Sequence, residues 1–318
     1  MDKIKVAVIG VGHLGRFHAK KFTEIPEVEL FAIVDINPER IKEALDLLEE
    51  KRHSIKTFTN YKEVIPLVDA VSIATPTITH YEITKDFLSA GKPVFLEKPL
   101  AHELGLAEEL VEISLKKNLP LQVGYIERFQ EPVKKLLQNV KDPLFIEAHR
   151  LSSFTERNLD IDVILDLMIH DLDLALLLKN YKKIEFIHAV GAPLFTPLPD
   201  IVNARVVFED GTTCNFTASR VSLNRQRKFR VFSKGAYYVV DTIEKSYLEV
   251  RVDLLKREYK LDRKSFPESD PLKEELESFV KCIINGEKVK VTGESALKSL
   301  ELAFQIKRQV ENNLKKYL

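Results

Sequence analysis

Lys98, Asp166 and His170 are the residues whose types and spacing could carry acid–base chemistry in this chain. Lys98 sits in Glu97-Lys98-Pro99, directly after an apolar run over residues 93–96 that reads as a buried strand. In an open parallel sheet the ligand crevice lies beyond the carboxyl ends of the strands, which aims this ammonium at a reaction. Asp166 and His170 stand four residues apart in a stretch with helical periodicity over residues 161–178, so they share a face, and Asp162 extends it by one turn. Leu165, Met168, Leu172 and Leu176 supply the buried side of the same helix. An imidazole titrating near pH 6.5 can take a hydroxyl proton at neutral pH, and an ammonium beside the same oxygen stabilises developing alkoxide charge. Those functions suit oxidation of a secondary alcohol, provided something accepts the hydride.

The elements that must position these groups begin with a strand–glycine loop–helix. Strand residues 3–9 lead into Gly10-Val11-Gly12-His13-Leu14-Gly15, a G-x-G-x-x-G between a strand and a helix. The first glycine permits the tight turn, the second a close approach of pyrophosphate to backbone, and the third the packing of helix on strand. Asp35 follows at the end of the second strand, where its carboxylate can accept the adenosine ribose hydroxyls. An anion there repels a 2′-phosphate, so the site favours NAD over NADP, with Arg40 near enough to oppose that preference. Thr75, Pro76 and His80 follow a strand over residues 70–74 and are expected to line the nicotinamide side. Further strands are expected over residues 28–34 and 120–123, and helices over 13–23, 38–51, 79–90 and 103–117. The alternation describes an α/β Rossmann domain with a parallel sheet over residues 1–122.

After Gly124 the pattern changes. Helices over residues 131–140 and 161–178 flank a strand over 145–150, and strand-like runs then follow one another over 184–190, 204–208, 213–219, 229–232, 236–240 and 248–252. Successive strands without intervening helices imply an α+β domain with a large, mostly antiparallel open sheet, assigned to residues 123–318 and closed by helices over 272–284 and 295–315. This domain is expected to bind substrate and to form oligomers. The 318 residues carry 48 Lys and Arg against 48 Asp and Glu, so no net field draws nucleic acid or an anionic membrane. Two cysteines, Cys214 and Cys282, are too few for a disulfide framework and lack ligand spacing, which points to a reducing cytoplasm and to no metal. No apolar run reaches the ~20 residues of a membrane span.

With these residues in place, the chain resembles the Gfo/Idh/MocA family of oxidoreductases over essentially its whole length. The likeness rests on residues 10–18 and on Ala74-Thr75-Pro76-Thr77-Ile78-Thr79-His80. It rests also on Gly91-Lys92-Pro93-Val94-Phe95-Leu96-Glu97-Lys98-Pro99-Leu100 and on Asp166-Leu167-Met168-Ile169-His170-Asp171-Leu172-Asp173. The resemblance implies a lysine beside the nicotinamide and an aspartate and a histidine facing it across an interdomain cleft. His170 is then the general acid/base, Lys98 polarises the substrate oxygen, and Asp166 either orients His170 or binds a neighbouring hydroxyl. Glu97 positions the Lys98 turn or contacts the nicotinamide ribose, and Lys98-Pro99 is a candidate cis peptide. His18 reads as a packing or capping residue. Met168 departs from the glycine the family often carries there and would reshape the pocket floor.

For substrate, Tyr125 could donate to a hydroxyl or pack, and Arg150 and Arg157 could hold an anionic group. The basic cluster Arg220, Arg225, Arg227, Lys228 and Arg230 offers the donors that a sugar-nucleotide diphosphate needs. Residues 124–129, 149–152 and 166–173 resemble a subgroup acting on nucleotide sugars, which makes the 3-hydroxyl of UDP-N-acetylglucosamine the candidate substrate within a broader sugar or polyol class. The competing readings are a non-catalytic NAD(H)-binding regulator and an NAD-dependent glycosidase of the same fold. The resemblance implies a homo-dimer or homo-tetramer.

Overall fold

The computed structural model describes residues 3–155, 161–253 and 255–316. It divides into two units, Met1–Ile126 with Asp270–Leu297, and Glu127–Ser269 with Lys298–Leu318. Among the described residues the first holds strands β1 (Ile4–Ile9), β2 (Val28–Val34), β3 (Lys56–Phe58), β4 (Ala70–Ile73), β5 (Val94–Glu97) and β6 (Leu121–Gly124). All pair in parallel in the order β3-β2-β1-β4-β5-β6. The order reverses between β1 and β4, which is the switch point where such sheets bind dinucleotides. Helices α1 (Gly15–Phe22), α2 (Pro38–Leu47), α3 (His80–Ser89) and α4 (Leu104–Lys117) provide the crossovers. Val6, Ala7, Val8 and Val71 are fully buried, so the central strands show continuous apolar runs instead of alternation. α2 stops at Leu47, short of the expected residue 51, and a 3-10 turn over Glu49–Ser54 completes that stretch. The edge strand β3 was not expected: Lys56-Thr57-Phe58 is short and exposed, with no apolar face to mark it.

The second unit holds α5 (Glu131–Asn139), β7 (Pro143–Leu151), α6 (Ile169–Leu178), β8 (Ile184–Ala192), β9 (Ile201–Phe208), β10 (Thr213–Ser219), β11 (Gln226–Ser233), β12 (Ala236–Asp241), β13 (Ser246–Asp253) and β14 (Glu258–Ser265). They form a sheet in the order β14-β13-β12-β11-β7-β10-β9-β8, antiparallel except where β7 meets β10. β14 escapes a sequence reading because its polar and charged residues are exposed on both faces. The expected helix over residues 161–178 begins instead as a π-helical turn, Ile164–Met168, before α6.

The division differs from the expected 122/123 boundary. Helix α7 (Pro271–Asn285) belongs to the first unit, because its Leu276, Phe279 and Val280 are buried in one cluster with Val6, Val8 and Phe95. The last helix, α8, spans Gly293–Leu314. Among the described residues no helix is long and apolar enough to cross a membrane.

Candidate functional site

The glycine loop has the geometry a dinucleotide requires. A Cβ on Gly15 would sit 1.8 Å from the Gly10 carbonyl oxygen, so only glycine lets α1 start this close to the end of β1. Gly12, by contrast, has nothing nearer to an added Cβ than an Arg40 guanidinium nitrogen at 3.9 Å, which leaves its backbone open to a phosphate. His13 and Leu14 on the loop are exposed. Asp35 is buried and holds the loop from the β2 side: Oδ2 accepts from Val11 N at 3.0 Å and Oδ1 from Asn37 N at 2.9 Å. Each oxygen keeps a second lone pair for a ribose hydroxyl. The open Gly12 backbone and this anchored carboxylate therefore fit NAD.

Two buried histidines brace the lysine turn from either side. On one side His18, from α1, places Nδ1 2.9 Å from Ser72 Oγ and Nε2 3.1 Å from Glu97 Oε1. Glu97 Oε2 accepts from Lys98 N at 3.2 Å, and a Cβ on Gly124 would lie 2.9 Å from that oxygen, so β6 passes close to the carboxylate. Glu97 thus positions the turn, and His18 does more than pack. On the other side His80, at the start of α3, places Nδ1 2.7 Å from the Pro99 carbonyl and Nε2 2.9 Å from the Thr75 carbonyl. His80 is 1% exposed, so the expectation that it lines the nicotinamide side is corrected: it ties the Thr75 loop to the lysine turn. Burial lowers its pKa, outweighing the two carbonyls that favour the charged ring. Thr79 Oγ1 lies 2.8 Å from both Thr75 Oγ1 and the Pro76 carbonyl, closing the same loop. The Lys98–Pro99 peptide is cis.

In the second unit His170 stands in a cluster of buried charge. His170 Nδ1 lies 2.7 Å from Glu127 Oε2. Glu127 Oε1 accepts from Arg150 Nη1 at 2.7 Å, and the rest of that guanidinium is held by Asp171, through Nε at 3.0 Å and Nη2 at 2.9 Å. Against the desolvation of its burial, the charges of His170 and Arg150 hold Glu127 well below the ordinary carboxylate range. Arg150, also desolvated, is pushed up by Asp171 and Glu127.

Several expectations change accordingly. The carboxylate on His170 Nδ1 is Glu127, and Asp166 is half-buried within the π turn. Asp166 N still donates to the Asp162 carbonyl at 3.0 Å, so the i, i+4 step inferred from Asp162 to Asp166 is kept at the entry to the π turn. Asp162 is fully buried as a cap, its Oδ1 accepting from Ile164 N at 3.0 Å and Leu165 N at 3.1 Å, with Oδ2 2.9 Å from Lys307 Nζ. Met168 is fully buried and so packs in the interior. Arg150 is 4% exposed and gives three of its N–H donors to Glu127 and Asp171, so it is occupied by carboxylates of its own unit. Tyr125 is 1% exposed, which fits the packing alternative. Arg157 lies outside the described residues. Glu127 and Asp171 are the residues that sequence reasoning missed; a glutamate between the apolar Ile126 and Phe129 was the available signal.

The model of an oxidoreductase family with an NAD-binding Rossmann fold, GFO_IDH_MocA, matches residues 4–125. The chain is 34% identical to UDP-N-acetylglucosamine 3-dehydrogenase of Acidithiobacillus ferrooxidans across 98% of each sequence. It superposes on a solved structure of that enzyme with a TM-score of 0.89, covering 98% of this chain and 99% of that one. The myo-inositol 2-dehydrogenase of Thermotoga maritima is 28% identical, over 97% of this chain and 96% of that protein. A solved scyllo-inositol dehydrogenase from Lactobacillus casei, with bound NAD(H) and scyllo-inositol, shares the fold at 22% identity and a TM-score of 0.82, each chain covered to 98%. With a relative of this identity matched from end to end and the NAD-binding model matching the first unit, the chain belongs to the Gfo/Idh/MocA family of NAD-dependent oxidoreductases.

Proposed function

We propose that this NAD-dependent dehydrogenase oxidises the 3-hydroxyl of a nucleotide sugar, UDP-N-acetylglucosamine. The observation that carries the substrate is the end-to-end likeness to the Acidithiobacillus ferrooxidans enzyme of that activity. When bound, NAD takes the hydride from the substrate carbon. His170 accepts the hydroxyl proton at Nε2, the ring nitrogen opposite the one held by Glu127, and the carboxylate stabilises the resulting imidazolium. Lys98 stabilises negative charge on the same substrate oxygen as the C=O bond forms. Asp166, half-buried one turn before His170, binds a neighbouring sugar hydroxyl. Gly10, Gly12, Gly15 and Asp35 hold the dinucleotide, with Thr75, Pro76 and Glu97 shaping its nicotinamide end.

The same reading makes the first unit the cofactor domain and the second the substrate and oligomerisation domain of a cytoplasmic homo-dimer or homo-tetramer. Phe145, Phe232 and Tyr237 stand in register across β7, β11 and β12, on the face opposite buried Ile146, Val231 and Tyr238, and offer an apolar row for subunit pairing. The test is NADH formation at 340 nm from NAD and UDP-N-acetylglucosamine, with myo-inositol and NADP in parallel and the keto product identified by mass. Turnover of the polyol without turnover of the nucleotide sugar sinks the assignment.

A further inference from the structure

The basic cluster of residues 220–230 resolves into members with different tasks. Arg220 is buried against Asp200 at 2.7 Å and donates to the Ile161 carbonyl at 2.9 Å. Arg230 pairs with Glu147 at 2.7 Å, and Lys228 lies 3.8 Å from Asp241. Arg225 is exposed. Arg227 differs from all of them: it is half-buried, yet among the described residues no carboxylate pairs with its guanidinium and no acceptor takes a hydrogen bond from it.

Strand register fixes where this unpaired cation points. Arg227 stands directly opposite Arg150 in the β11–β7 pair, so both project from the same face of the sheet. That is the face on which Phe229 and Val231 of β11 and Ile146 and Ala148 of β7 are buried. Arg150 is already engaged by Glu127 and Asp171, and Glu127 holds His170. Arg227 therefore presents five N–H donors beside the His170 cluster. Desolvation, reinforced by the neighbouring Arg150, lowers its pKa even though Glu127 and Asp171 oppose the shift. A part-buried guanidinium in that state is stabilised by an arriving anion.

We propose that Arg227 is an anion-binding subsite for the substrate, its planar fork taking phosphate oxygens of a nucleotide-sugar diphosphate while His170 works on the sugar. This rests on the nucleotide-sugar reading and deepens it, because it names the residue that separates a charged substrate from a neutral inositol: a polyol hydroxyl can accept one hydrogen bond but cannot neutralise the charge.

The test uses the full chain with Arg227→Met and Arg227→Lys, titrated calorimetrically with UDP, inorganic pyrophosphate and NAD, alongside thermal unfolding. UDP and pyrophosphate should bind roughly ten- to a hundredfold more weakly to Arg227→Met, and less severely so to Arg227→Lys, with NAD affinity unchanged. The Tm of Arg227→Met should equal or exceed that of the parent, since methionine keeps the apolar stem and removes an unpaired, half-buried charge. Unchanged UDP and pyrophosphate binding in Arg227→Met overturns the subsite, as does a parent protein that binds neither. A drop in NAD affinity with UDP binding intact assigns the guanidinium to the cofactor, and a lowered Tm with all three affinities reduced makes it structural; either result also overturns the proposal. The substrate reading fails separately: if UDP-N-acetylglucosamine yields no NADH while Arg227→Met still loses pyrophosphate, the anion site stands and the sugar assignment falls.

Discussion

Lys98 and His170, the two proposed reactive side chains of this enzyme, are supported by different physical means. In the first unit Lys98 lies between Glu97 and Pro99, which are held by His18 and His80, and much of that support is hydrogen bonding to a hydroxyl and to backbone carbonyls. In the second unit His170 rests on Glu127, which rests on Arg150, which rests on Asp171, a chain of buried charges. Hydrogen bonds made by the neighbours of a group fix where it sits, and they set its proton affinity only when made to the group itself. Buried charges do both, and they make the site vulnerable to loss of any one member. The contrast suits the proposed tasks, since an ammonium that stabilises an oxygen needs position, whereas a base must also have its proton affinity set.

The largest effects should come from the reacting groups themselves. Lys98→Met should lower kcat by about a hundred- to a thousandfold, and His170→Asn by about a hundred- to ten-thousandfold, with NAD affinity measured by calorimetry retained in both. If either variant kept near-normal turnover, the assignment of that unit's reactive group would fail and the comparison with it.

Breaking the supports should separate the two designs. Glu127→Gln keeps the shape but removes the charge behind His170, and kcat should fall roughly ten- to a hundredfold. Without the carboxylate the imidazolium is less favoured, so the pH below which oxidation fades should move to lower pH. His18→Ala should lower kcat only roughly fivefold, about the worth of one neutral hydrogen bond, and leave the pH profile in place. A pH shift in the His18 variant, or none in the Glu127 variant, contradicts the division between position and charge.

What could be read from the sequence follows the same division. The glycine loop, Asp35 and the Lys98 turn are local: spacing along a few residues and the end of an apolar strand suffice to place them. The charge cluster is tertiary. Glu127 and His170 are far apart in the chain, and nothing in the periodicity around either announces the other. The helical repeat draws attention to Asp166 and His170 but cannot show that Glu127, from the turn after β6, meets the ring at Nδ1, nor that Ile164–Met168 forms a π turn. The amphipathic pattern of α7 shows an apolar face without saying which core receives it, so its return to the first unit was invisible until Leu276 and Phe279 were seen among Val6, Val8 and Phe95. β14 failed for the opposite reason, having no apolar face to find.

The smallest expected effect tests the first unit through its pH dependence. The unfolded His80 ring protonates near its ordinary 6.5, while burial lowers the value in the folded protein. Between those values the unfolded chain binds the extra proton, so stability rises with pH. The contribution is complete above about pH 6.5 and is lost as pH falls towards the lower folded value. Glu127 is held well below 4.5, so its contribution is complete above that pH and fades only at greater acidity. Acidifying from pH 7 to 5 should therefore loosen the amides of β5 and β6 in hydrogen exchange before those of β7. One proton limits the slope to ~1.4 kcal/mol per pH unit, and His80→Gln, which cannot titrate, should flatten it between pH 5 and 6.5. The ring faces two carbonyl oxygens, and only an imidazolium could donate to both, so its charge can be read directly from 15N-labelled histidine spectra. A neutral ring at pH 7, protonated at Nδ1 towards the Pro99 carbonyl, supports a support built on position; an imidazolium there reverses the sign of the slope and shows that the lysine turn, too, is held by charge.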